Sequence, residues 1–351
     1  MLERAGEAQT TSNILMVAPA QFRHNFDTAK DNSYQERPEG FTDQELDALT
    51  SLDRHSAFAQ IAGLQEKVDA LDARTHELAS VEFANMVEAL QGKMVRVIVI
   101  PDVREHDTPD SIFPNNPISL HAAEGGIAVK YPMKSDSRRA EKQLPIVETL
   151  TRDFGFRVAK VVDMSPLEES GDFVEGTGSM VLDRTNRIVY ASFSQRTTPG
   201  GVEAFADFTG YKTVTFSSVD RIRGTPVYHT NVVMSVGNRF AVICTEAITD
   251  DTERTNVLNS LRETGKDIIE ITTEQMNKFG GNILEVQDAQ GCPLIVMSET
   301  ARGIFTSAQL AQLEKYGEVV AVAIPTIEKH GGGSARCMML EAHLPINVAN
   351  A

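Results

Sequence analysis

The sequence predicts an α/β fold made of repeated strand and helix units around a shared central site. Three observations lead to this prediction. Short β-rich runs recur along the chain, and single helical stretches lie between pairs of these runs. Turns separate the β-rich runs from the helical stretches. No clear sequence repeat accompanies the alternation, so the repetition is inferred for the elements only. At 351 residues, the chain is long enough for one large domain or two ordinary ones.

The strands are predicted from apolar runs that end at a proline or a turn. The run 95–100 ends at Pro101 and the run 126–131 ends at Pro132, as expected because proline cannot donate to a sheet ladder. The same pattern predicts further strands at 179–182, 188–192, 232–236, 240–245, 282–286, 293–298 and 319–324.

The helices are predicted from apolar residues at helical spacing that follow a capping residue or a breaker. They fall between the strands, at 137–154, 200–209, 252–264, 273–279 and 306–316. Because strand pairs alternate with single helices, we expect an α/β array whose units meet at a common centre.

The segment 42–91 differs from the rest, because it is almost free of glycine and proline and charged residues fill most of its faces. Its apolar residues fall close to a heptad spacing, at Ile61, Leu64, Val68, Leu71 and Leu78. Thr75 is the one interruption, so we expect either one long helix or two helices joined near 74–76. Such a helix packs on its own domain or, as the other alternative, in a coiled coil between subunits, for which three heptads are marginal.

Composition and charge exclude several classes of partner. The chain has 49 acidic and 33 basic residues, a formal net charge of −16, whereas nucleic acids and anionic membranes need a basic face. No apolar run approaches the roughly 18 residues that a membrane helix needs. The N-terminal residues lack the basic start and apolar core of a signal peptide. We therefore expect a cytoplasmic protein that binds neither nucleic acid nor membrane.

The three cysteines are too few for a disulfide framework and indicate a reducing compartment. Cys244 lies in a strand-like run and is expected in the core, whereas Cys292 lies in a turn and is expected to be exposed. None forms a CxxC pair, so no structural zinc site is expected.

Cys337 follows three consecutive glycines at 331–333 and precedes an apolar run. A glycine backbone can adopt positive φ and approach a ligand closely, and it delivers this thiol to the end of a strand. That arrangement is typical of a nucleophilic cysteine, whose sulfur must be partly accessible. The alternative is a glycine turn before a buried strand, with a cysteine that only packs.

Three more polar residues stand at strand ends beside small-residue turns. Glu175 precedes a glycine-spaced turn, His229 begins an apolar strand, and Asp110 lies in a turn-rich loop. Each has a structural alternative. Glu175 could cap a turn, His229 could be a core histidine whose ring nitrogens are hydrogen-bonded, and Asp110 could start a Pro-Asp-Ser turn. Taken with Cys337, they supply the nucleophile, base and orienting carboxylate of covalent acyl or amidino transfer.

Five motifs follow one another along the chain: MVAPAQFRHN at 16–25, PDSIFPN at 109–115, EGTG at 175–178, HTN at 229–231 and GGGSARC at 331–337. In this order they resemble the motifs of the guanidino-group-modifying superfamily of arginine deiminases, dimethylarginine hydrolases and amidinotransferases. The resemblance implies a five-bladed α/β propeller, or pentein, of ββαβ-type modules. It predicts one propeller domain over 1–351, in which the helical segment 42–91 is partly an insertion.

The resemblance also implies roles for individual residues. Cys337 would be the nucleophile and His229 the acid and base, and Glu175 would orient the imidazole. The residues implied in substrate binding are Asn25, Asp110, Phe113, Asn116, Arg138, Arg139, Asn231 and Arg196.

The arginines would bind the substrate carboxylate, because a planar guanidinium can hold a carboxylate through two hydrogen bonds. Arg196 is one, and either Arg138 or Arg139 is the other. Their alternative is an ordinary surface charge.

Two positions depart from the pattern of relatives that bind a cationic guanidinium. Those relatives place aspartates where this chain has Asn116 and Asn231. A buried guanidinium without a paired carboxylate is expensive, by about 3–5 kcal/mol. An amide can donate to a carbonyl oxygen and accept from an N–H group, so the departures favour a neutral ureido group such as that of citrulline.

The function predicted first is therefore hydrolysis of citrulline to ornithine, carbon dioxide and ammonia through an S-carbamoyl intermediate on Cys337. The alternative is a deiminase, dihydrolase or amidinotransferase acting on a guanidino substrate. A third interpretation is a catalytically silent binding protein with the same fold, against which the intact Cys, His and Glu set argues. No metal or organic cofactor is implied, and a homo-oligomer is possible.

Overall fold

Five three-stranded sheets share one pairing pattern, as a computed structural model that describes residues 7–346 shows. In each sheet the central strand pairs antiparallel with the first strand and parallel with the third. The strands are β1 (Asn13–Ala18), β2 (Arg96–Pro101), β3 (Ile118–His121), β4 (Ile127–Lys130), β5 (Lys160–Asp163), β6 (Met180–Asp183), β7 (Ile188–Phe193), β8 (Lys212–Ser217), β9 (Val219–Asp220), β10 (Thr225–Pro226), β11 (Met234–Val236), β12 (Phe240–Ile243), β13 (Asp267–Glu270), β14 (Leu284–Gln287), β15 (Pro293–Ser298), β16 (Glu318–Val322) and β17 (Leu340–Glu341).

The strand order of each sheet follows the chain, with one exception. Four sheets have the orders β3-β4-β5, β6-β7-β8, β11-β12-β13 and β14-β15-β16, and β9 pairs with β10 in a small extra sheet. The fifth has the order β17-β1-β2, in which Leu15 lies opposite Leu340 and Ile14 opposite Glu341. The last strand within residues 7–346 therefore pairs with the first.

Burial decreases across each sheet from its first strand to its third. The first strands β3, β6, β11 and β17 are buried at every position, and β14 at all but its last. The third strands β2, β5, β8, β13 and β16 expose residues along their length. Such a gradient is expected when a sheet has one buried edge and one edge near solvent.

Helices connect the strands and cover the sheets. They are α1 (Asp43–Ser51), α2 (Arg54–Gln60), α3 (Leu64–Gly92), α4 (Asp136–Arg139), α5 (Ile146–Asp153), α6 (Gly176–Ser179), α7 (Pro199–Thr209), α8 (Thr230–Val233), α9 (Asp251–Glu263), α10 (Thr273–Met276), α11 (Glu299–Ile304), α12 (Ser307–Leu313) and α13 (Pro325–Gly331). Short 3₁₀ helices lie at Thr28–Lys30, Ala123–Gly125, Ala140–Gln143, Ser165–Ser170 and Thr245–Ala247. Within 7–346, no helix is long and apolar enough to cross a membrane.

The segment 42–91 forms three helices, and its breaks lie elsewhere than the sequence predicted. A capping box between Thr42 and Glu45 starts α1, and Gly63, at φ 76°, precedes α3. The 29 residues of α3 then run without a break through Thr75, whose side chain is buried. A β-branched residue on the buried face interrupts the apolar pattern without ending the helix. Of the two predicted alternatives, the join near 74–76 was therefore wrong, and one long helix passes through these residues.

The apolar stripe of this segment packs largely within the chain. Leu64 and Val68 are fully buried in a cluster with Phe26 and Leu49. The C-terminal half of α3 packs against the central core through Ala79, Phe83, Met86 and Leu90. Of the predicted stripe, Leu78 is 43% exposed and Leu71 is half-buried.

Other differences from the predicted elements have local causes. The helix predicted at 137–154 is divided into α4, a 3₁₀ turn and α5, because Pro145 lies within it. Residues 232 and 233 of the strand predicted at 232–236 belong to α8, a single helical turn before β11. The strands β5, β8 and β13 were not predicted, since their exposed faces carry polar residues that weaken the apolar pattern.

Candidate active site

The turns that precede the first strands of the five sheets meet at one place. Each turn contributes one polar or nucleophilic side chain. Hydrogen bonds link Glu175 to Asn116 and His229, and a further hydrogen bond links Asn282 to Cys337. The five residues are Asn116 before β3, Glu175 before β6, His229 before β11, Asn282 before β14 and Cys337 before β17. The repeated sheets therefore deliver one set of side chains to a single site.

The Cys337 thiol is buried, with 3% of the residue exposed. Its Sγ atom accepts hydrogen bonds from Asn231 Nδ2 and Asn282 Nδ2, each at 3.3 Å. Cys244 is also buried and Cys292 is exposed, as the sequence predicted. Burial raises the pKa of the Cys244 thiol to about 11, which makes it a poor nucleophile at neutral pH.

The glycines before Cys337 let its loop approach an aromatic wall. A β-carbon at Gly331 would lie 2.6 Å from the ring of Phe113, and one at Gly333 would lie 3.1 Å from it. Gly332 has φ 62°, a conformation that side-chain-bearing residues adopt at a cost. The Ser334 hydroxyl donates to Glu328 Oε1 at 2.6 Å and holds the loop on α13. The backbone thus fixes the position of the thiol.

His229 and Glu175 form a buried pair. The distance from His229 Nε2 to Glu175 Oε2 is 2.9 Å, and the second oxygen, Oε1, accepts the backbone N–H of Lys134 at 3.1 Å. Since a carboxylate can only accept, Nε2 carries the hydrogen and Nδ1 is the basic nitrogen of the neutral ring. Glu175 therefore selects the tautomer of the imidazole.

Burial and neighbouring charges set the protonation of this pair. Burial alone would raise the pKa of Glu175, but Arg196 and His229 lower it to about 2, so the side chain is a carboxylate at neutral pH. Burial lowers the pKa of His229 below its ordinary value, although Glu175 opposes the shift. The imidazole is therefore neutral at pH 7 and able to accept a proton.

Gly178 allows Asn116 and His229 to approach each other. A β-carbon at this position would lie 2.2 Å from Asn116 Nδ2 and 2.7 Å from His229 Nδ1. Gly176 has φ 47° and packs against the backbone carbonyl of Asn115. The two glycines of the EGTG motif therefore serve this close packing, while the Glu175 side chain makes no cap on α6.

A narrow cavity lies at this site. Its walls combine the thiol, the imidazole and several buried charged groups. The lining residues include Thr28, Asp110, Phe113, Asn116, Arg138, Arg196, Tyr228, His229 and Cys337. Within 7–346, no group of three or more histidine, cysteine or acidic side chains is placed to hold a metal ion.

Arg138 lies in the wall of the cavity and fixes the amide of Asn116. Two hydrogen bonds of 2.8 Å hold its guanidinium on Glu141, and Nη1 donates to Asn116 Oδ1 at 3.0 Å. Because arginine only donates, the amide oxygen of Asn116 must face Arg138, and its nitrogen faces the backbone oxygen of Glu175 at 3.4 Å.

Arg196 also lines the cavity, whereas Arg139 does not. Arg196 pairs with Asp31, donates to the backbone oxygen of Thr28 at 3.1 Å and lies over the Tyr228 ring at 5.3 Å. Arg139 has a partly exposed side chain that pairs with Asp136 and Glu168. Of the two adjacent arginines that the sequence left open, only Arg138 lies among the lining residues.

Asp110 is buried in the cavity wall, 2% exposed, and one of its oxygens is free to accept. Asn25 Nδ2 donates to Oδ2 at 2.7 Å, and the Thr28 hydroxyl lies 3.3 Å from the same atom. Oδ1 has no hydrogen-bond partner among residues 7–346. A buried carboxylate oxygen in a cavity wall suits a donor supplied by a ligand.

Three residues of the site were missed in the sequence. Asp31 and Glu141 are partners of the arginines, and their pairing over distance leaves no local pattern. Asn282 had a signal, because the glycines at 280–281 precede a predicted strand just as those of the other motifs do. Reading that turn as equivalent to the others would have found it.

The fold and this site define a guanidino-group-modifying enzyme class, and the chain is a member of that superfamily. Residues 50–344 match the family of eukaryotic N,N dimethylarginine dimethylhydrolases, and the chain belongs to this family. A comparison with curated proteins gave no significant match.

Solved structures of low sequence identity share the fold. The N-terminal domain of ArgZ, an arginine dihydrolase from Cyanobacteria, bound to substrate as a cysteine-to-serine mutant, is 17% identical with a TM-score of 0.63, over 94% of this chain and 97% of that one. A dimethylarginine dimethylaminohydrolase adduct with S-methyl-L-thiocitrulline is 16% identical with a TM-score of 0.57, over 95% and 99%. AgrE in complex with L-arginine is 16% identical with a TM-score of 0.64; the match covers 96% of this chain and 41% of AgrE.

Proposed function

We propose that this protein hydrolyses a C–N bond at the planar carbon of a guanidino or ureido group, with Cys337 as the nucleophile. One observation carries the proposal: a buried thiol that accepts two amide N–H groups shares a cavity with His229, whose partner is the Glu175 carboxylate. These are the parts that covalent catalysis by cysteine requires.

The reaction would proceed in two halves. His229 Nδ1 takes the thiol proton as the Cys337 sulfur attacks the planar carbon, and nearby N–H donors hold the charge of the tetrahedral adduct. The imidazolium then gives this proton to the departing nitrogen. Water, deprotonated by His229, then attacks the thioester-like carbon, and the thiolate leaves. Glu175 acts on the imidazole through the bond to Nε2, which stabilises the imidazolium that forms within each half.

A guanidino amino acid is the first candidate for the substrate. The family of the chain is that of dimethylarginine hydrolases, and ArgZ and AgrE are described with arginine or as an arginine dihydrolase. This support favours the alternative of the sequence analysis over citrulline. Arginine would lose ammonia and dimethylarginine would lose dimethylamine, and each would leave a ureido product.

Citrulline remains the second candidate because of the amides near the thiol. Asn231 and Asn282 contact Sγ, and Asn116 is held in the same wall. Among residues 7–346, the hydrogen bonds to Sγ involve no carboxylate. A ureido group is neutral and needs no anion beside its reacting carbon.

The other end of the substrate would meet the charged wall. Asp110 Oδ1 is the open acceptor for an α-ammonium group. Arg196 would take the α-carboxylate once Asp31 turns to Lys134, with which it already pairs. We also propose that the five sheets surround this site as five propeller blades in one domain, since the buried first strand of each supplies one side chain.

Product analysis tests the proposal. The protein is incubated separately with arginine, methylated arginines and citrulline, and the amino acids and amines released are measured, with Cys337→Ala as the control. Citrulline from a guanidino substrate supports the first candidate, and ornithine from citrulline supports the second. No product from any of these substrates, or full turnover by Cys337→Ala, contradicts the proposal.

A further inference from the structure

Asn282 lies against the thiol of Cys337 because of a tightly packed turn. The residue is fully buried, and its backbone N–H donates to the carbonyl of Phe279 at 2.9 Å. A β-carbon at Gly281 would lie 2.2 Å from the backbone oxygen of Val232, so only glycine fits there. Phe279 itself has φ 62°, a strained value for an aromatic residue. The turn therefore holds Asn282 with little freedom to move.

The orientation of the Asn282 amide is fixed by a second partner. Its Nδ2 atom lies 3.0 Å from the backbone oxygen of Asn231 and 3.3 Å from Cys337 Sγ. Since a backbone carbonyl can only accept, the atom facing it must be the nitrogen. One hydrogen of the amide is therefore used on the carbonyl, and the other is directed to the sulfur. The sulfur also lies 3.6 Å from Asn282 Oδ1, to which the neutral thiol can donate, so loss of the thiol proton leaves Nδ2–H as the partner on this amide.

The Asn231 amide lacks this constraint. Its Nδ2 atom lies 3.3 Å from the sulfur, but its Oδ1 atom has no partner among residues 7–346. Either end of this amide could face a thiol. Of the two asparagines, only Asn282 has a second hydrogen bond that fixes which end of its amide is the donor.

We propose that Asn282 is a catalytic residue whose side-chain N–H stabilises the thiolate of Cys337, an inference that rests on the proposed function. A donor aimed at sulfur favours the anion over the neutral thiol, and the thiolate is the form that attacks. The Sγ proton passes to Nδ1 of His229, and the electron pair stays on sulfur beside the Asn282 donor until the new S–C bond forms. The neutral amide performs this task without placing a cation beside a planar substrate carbon.

Alkylation of Cys337 by iodoacetamide tests this role without any substrate. All variants carry Cys292→Ser to remove the exposed thiol, and the modified Cys337 peptide is quantified by mass spectrometry at pH 7 and pH 10. The readout is the ratio of the two rates in each variant, because a change in access to the site cancels in that ratio.

Asn282→Ala should lower this ratio about tenfold, because the anion loses a charge-assisted hydrogen bond. The nearly isosteric Asn282→Asp should lower it further, since a carboxylate repels the thiolate. Asn231→Ala should change the ratio by less than Asn282→Ala. Far-UV circular dichroism and thermal melting exclude unfolded variants, and Asn282→Asp preserves the volume if the alanine variant is unstable.

An Asn282→Ala ratio within twofold of the parent overturns the proposal, as does a larger loss in Asn231→Ala. Failure of the proposed function would look different. Turnover that persists in Cys337→Ala would show that Cys337 is not the nucleophile, whatever the alkylation ratios of the Asn282 variants are.

Discussion

Gly178 and His229 are packed so closely that a β-carbon at Gly178 would lie 2.7 Å from Nδ1 of the imidazole. Gly178→Ala should therefore displace His229 or Asn116, lower kcat by about 100-fold and destabilise the fold by about 1–3 kcal/mol. The matched control is Gly303→Ala, since Gly303 lies in α11 with no atom near its missing β-carbon. This control should be neutral or slightly stabilising. Equal activity in both variants would show that the glycine is dispensable.

Glu175→Gln should reduce kcat more than it raises KM, because Glu175 bonds to the imidazole and to the Lys134 backbone. The amide can present its own N–H to Nε2 and reverse the tautomer, which should cost about 100-fold or more in kcat. Steady-state kinetics with the substrate found by product analysis measures the effect. A change confined to KM would indicate that Glu175 binds substrate directly.

Asn116→Asp tests the selection between neutral and cationic substrates. Arg138 Nη1 lies 3.0 Å from the Asn116 side-chain oxygen, so a carboxylate there finds a partner and the variant should fold. The added charge should lower the ratio of kcat/KM for citrulline to kcat/KM for arginine. The change in this ratio should correspond to several kcal/mol of activation free energy at most. Assays of both substrates in both proteins give the ratio. A ratio that rises would mean that position 116 does not face the reacting group.

His330 should make the fold sensitive to mild acid. Burial lowers its pKa to about 4, so it stays neutral in the folded protein while the unfolded chain binds a proton below about pH 6.5. Stability present above pH 6.5 is therefore lost as the pH falls towards 4. Between pH 7 and pH 4.5, the free energy of unfolding of His330→Gln should fall by about 1–2 kcal/mol less than that of the parent protein. Urea unfolding at the two pH values measures this difference.

The exposed His55 provides the control for this measurement. In His55→Gln, the free energy of unfolding should change between pH 7 and pH 4.5 by the same amount as in the parent protein. His24, whose ring centre lies 5.8 Å from that of His330, should behave like His330, because burial lowers its pKa to about 3. Equal acid sensitivity of all three variants would contradict the account.

Leu64 and Leu71 separate two explanations of the apolar stripe in α3. Leu64 is fully buried within the chain, so Leu64→Lys should cost about 3 kcal/mol or more, whereas the half-buried Leu71→Lys should cost about 1 kcal/mol or less. Thermal denaturation measures both. If Leu71→Lys instead lowers the mass measured by light scattering while the protein stays folded, the stripe packs between subunits.

Much of the site could be predicted because its chemistry is local in the sequence. Glycine turns marked Glu175 and Cys337, and the structure brings His229 into contact with Glu175 and sets Cys337 in the same cavity. What could not be predicted depends on distant pairing. The partners Asp31 and Glu141 carry no motif, and only contact with an arginine gives them a role.

The same division holds for the fold. The buried strands β7 and β12 gave strong apolar runs, whereas the outer strands β5 and β8 did not, because three residues of each are exposed. Burial does not decide every case, since the outer strand β2 was predicted and the buried strand β1 was not. The long α3 was predicted from its periodicity. Its first residue is set by Gly63, which has φ 76° and precedes the helix without a side-chain cap, so no capping motif in the sequence marks this boundary.

The pairing of β17 with β1 has a consequence for the order in which the site is assembled during synthesis. Asn116, Glu175, His229 and Asn282 precede Cys337 in the chain, and the strand after Cys337 is held by one that was made first. A growing polypeptide therefore carries His229 long before Cys337. The thiol can contact Asn231 and Asn282 only after translation has passed β17 and β17 has paired with β1. Under the proposed function, a chain that stops before β17 should give no turnover.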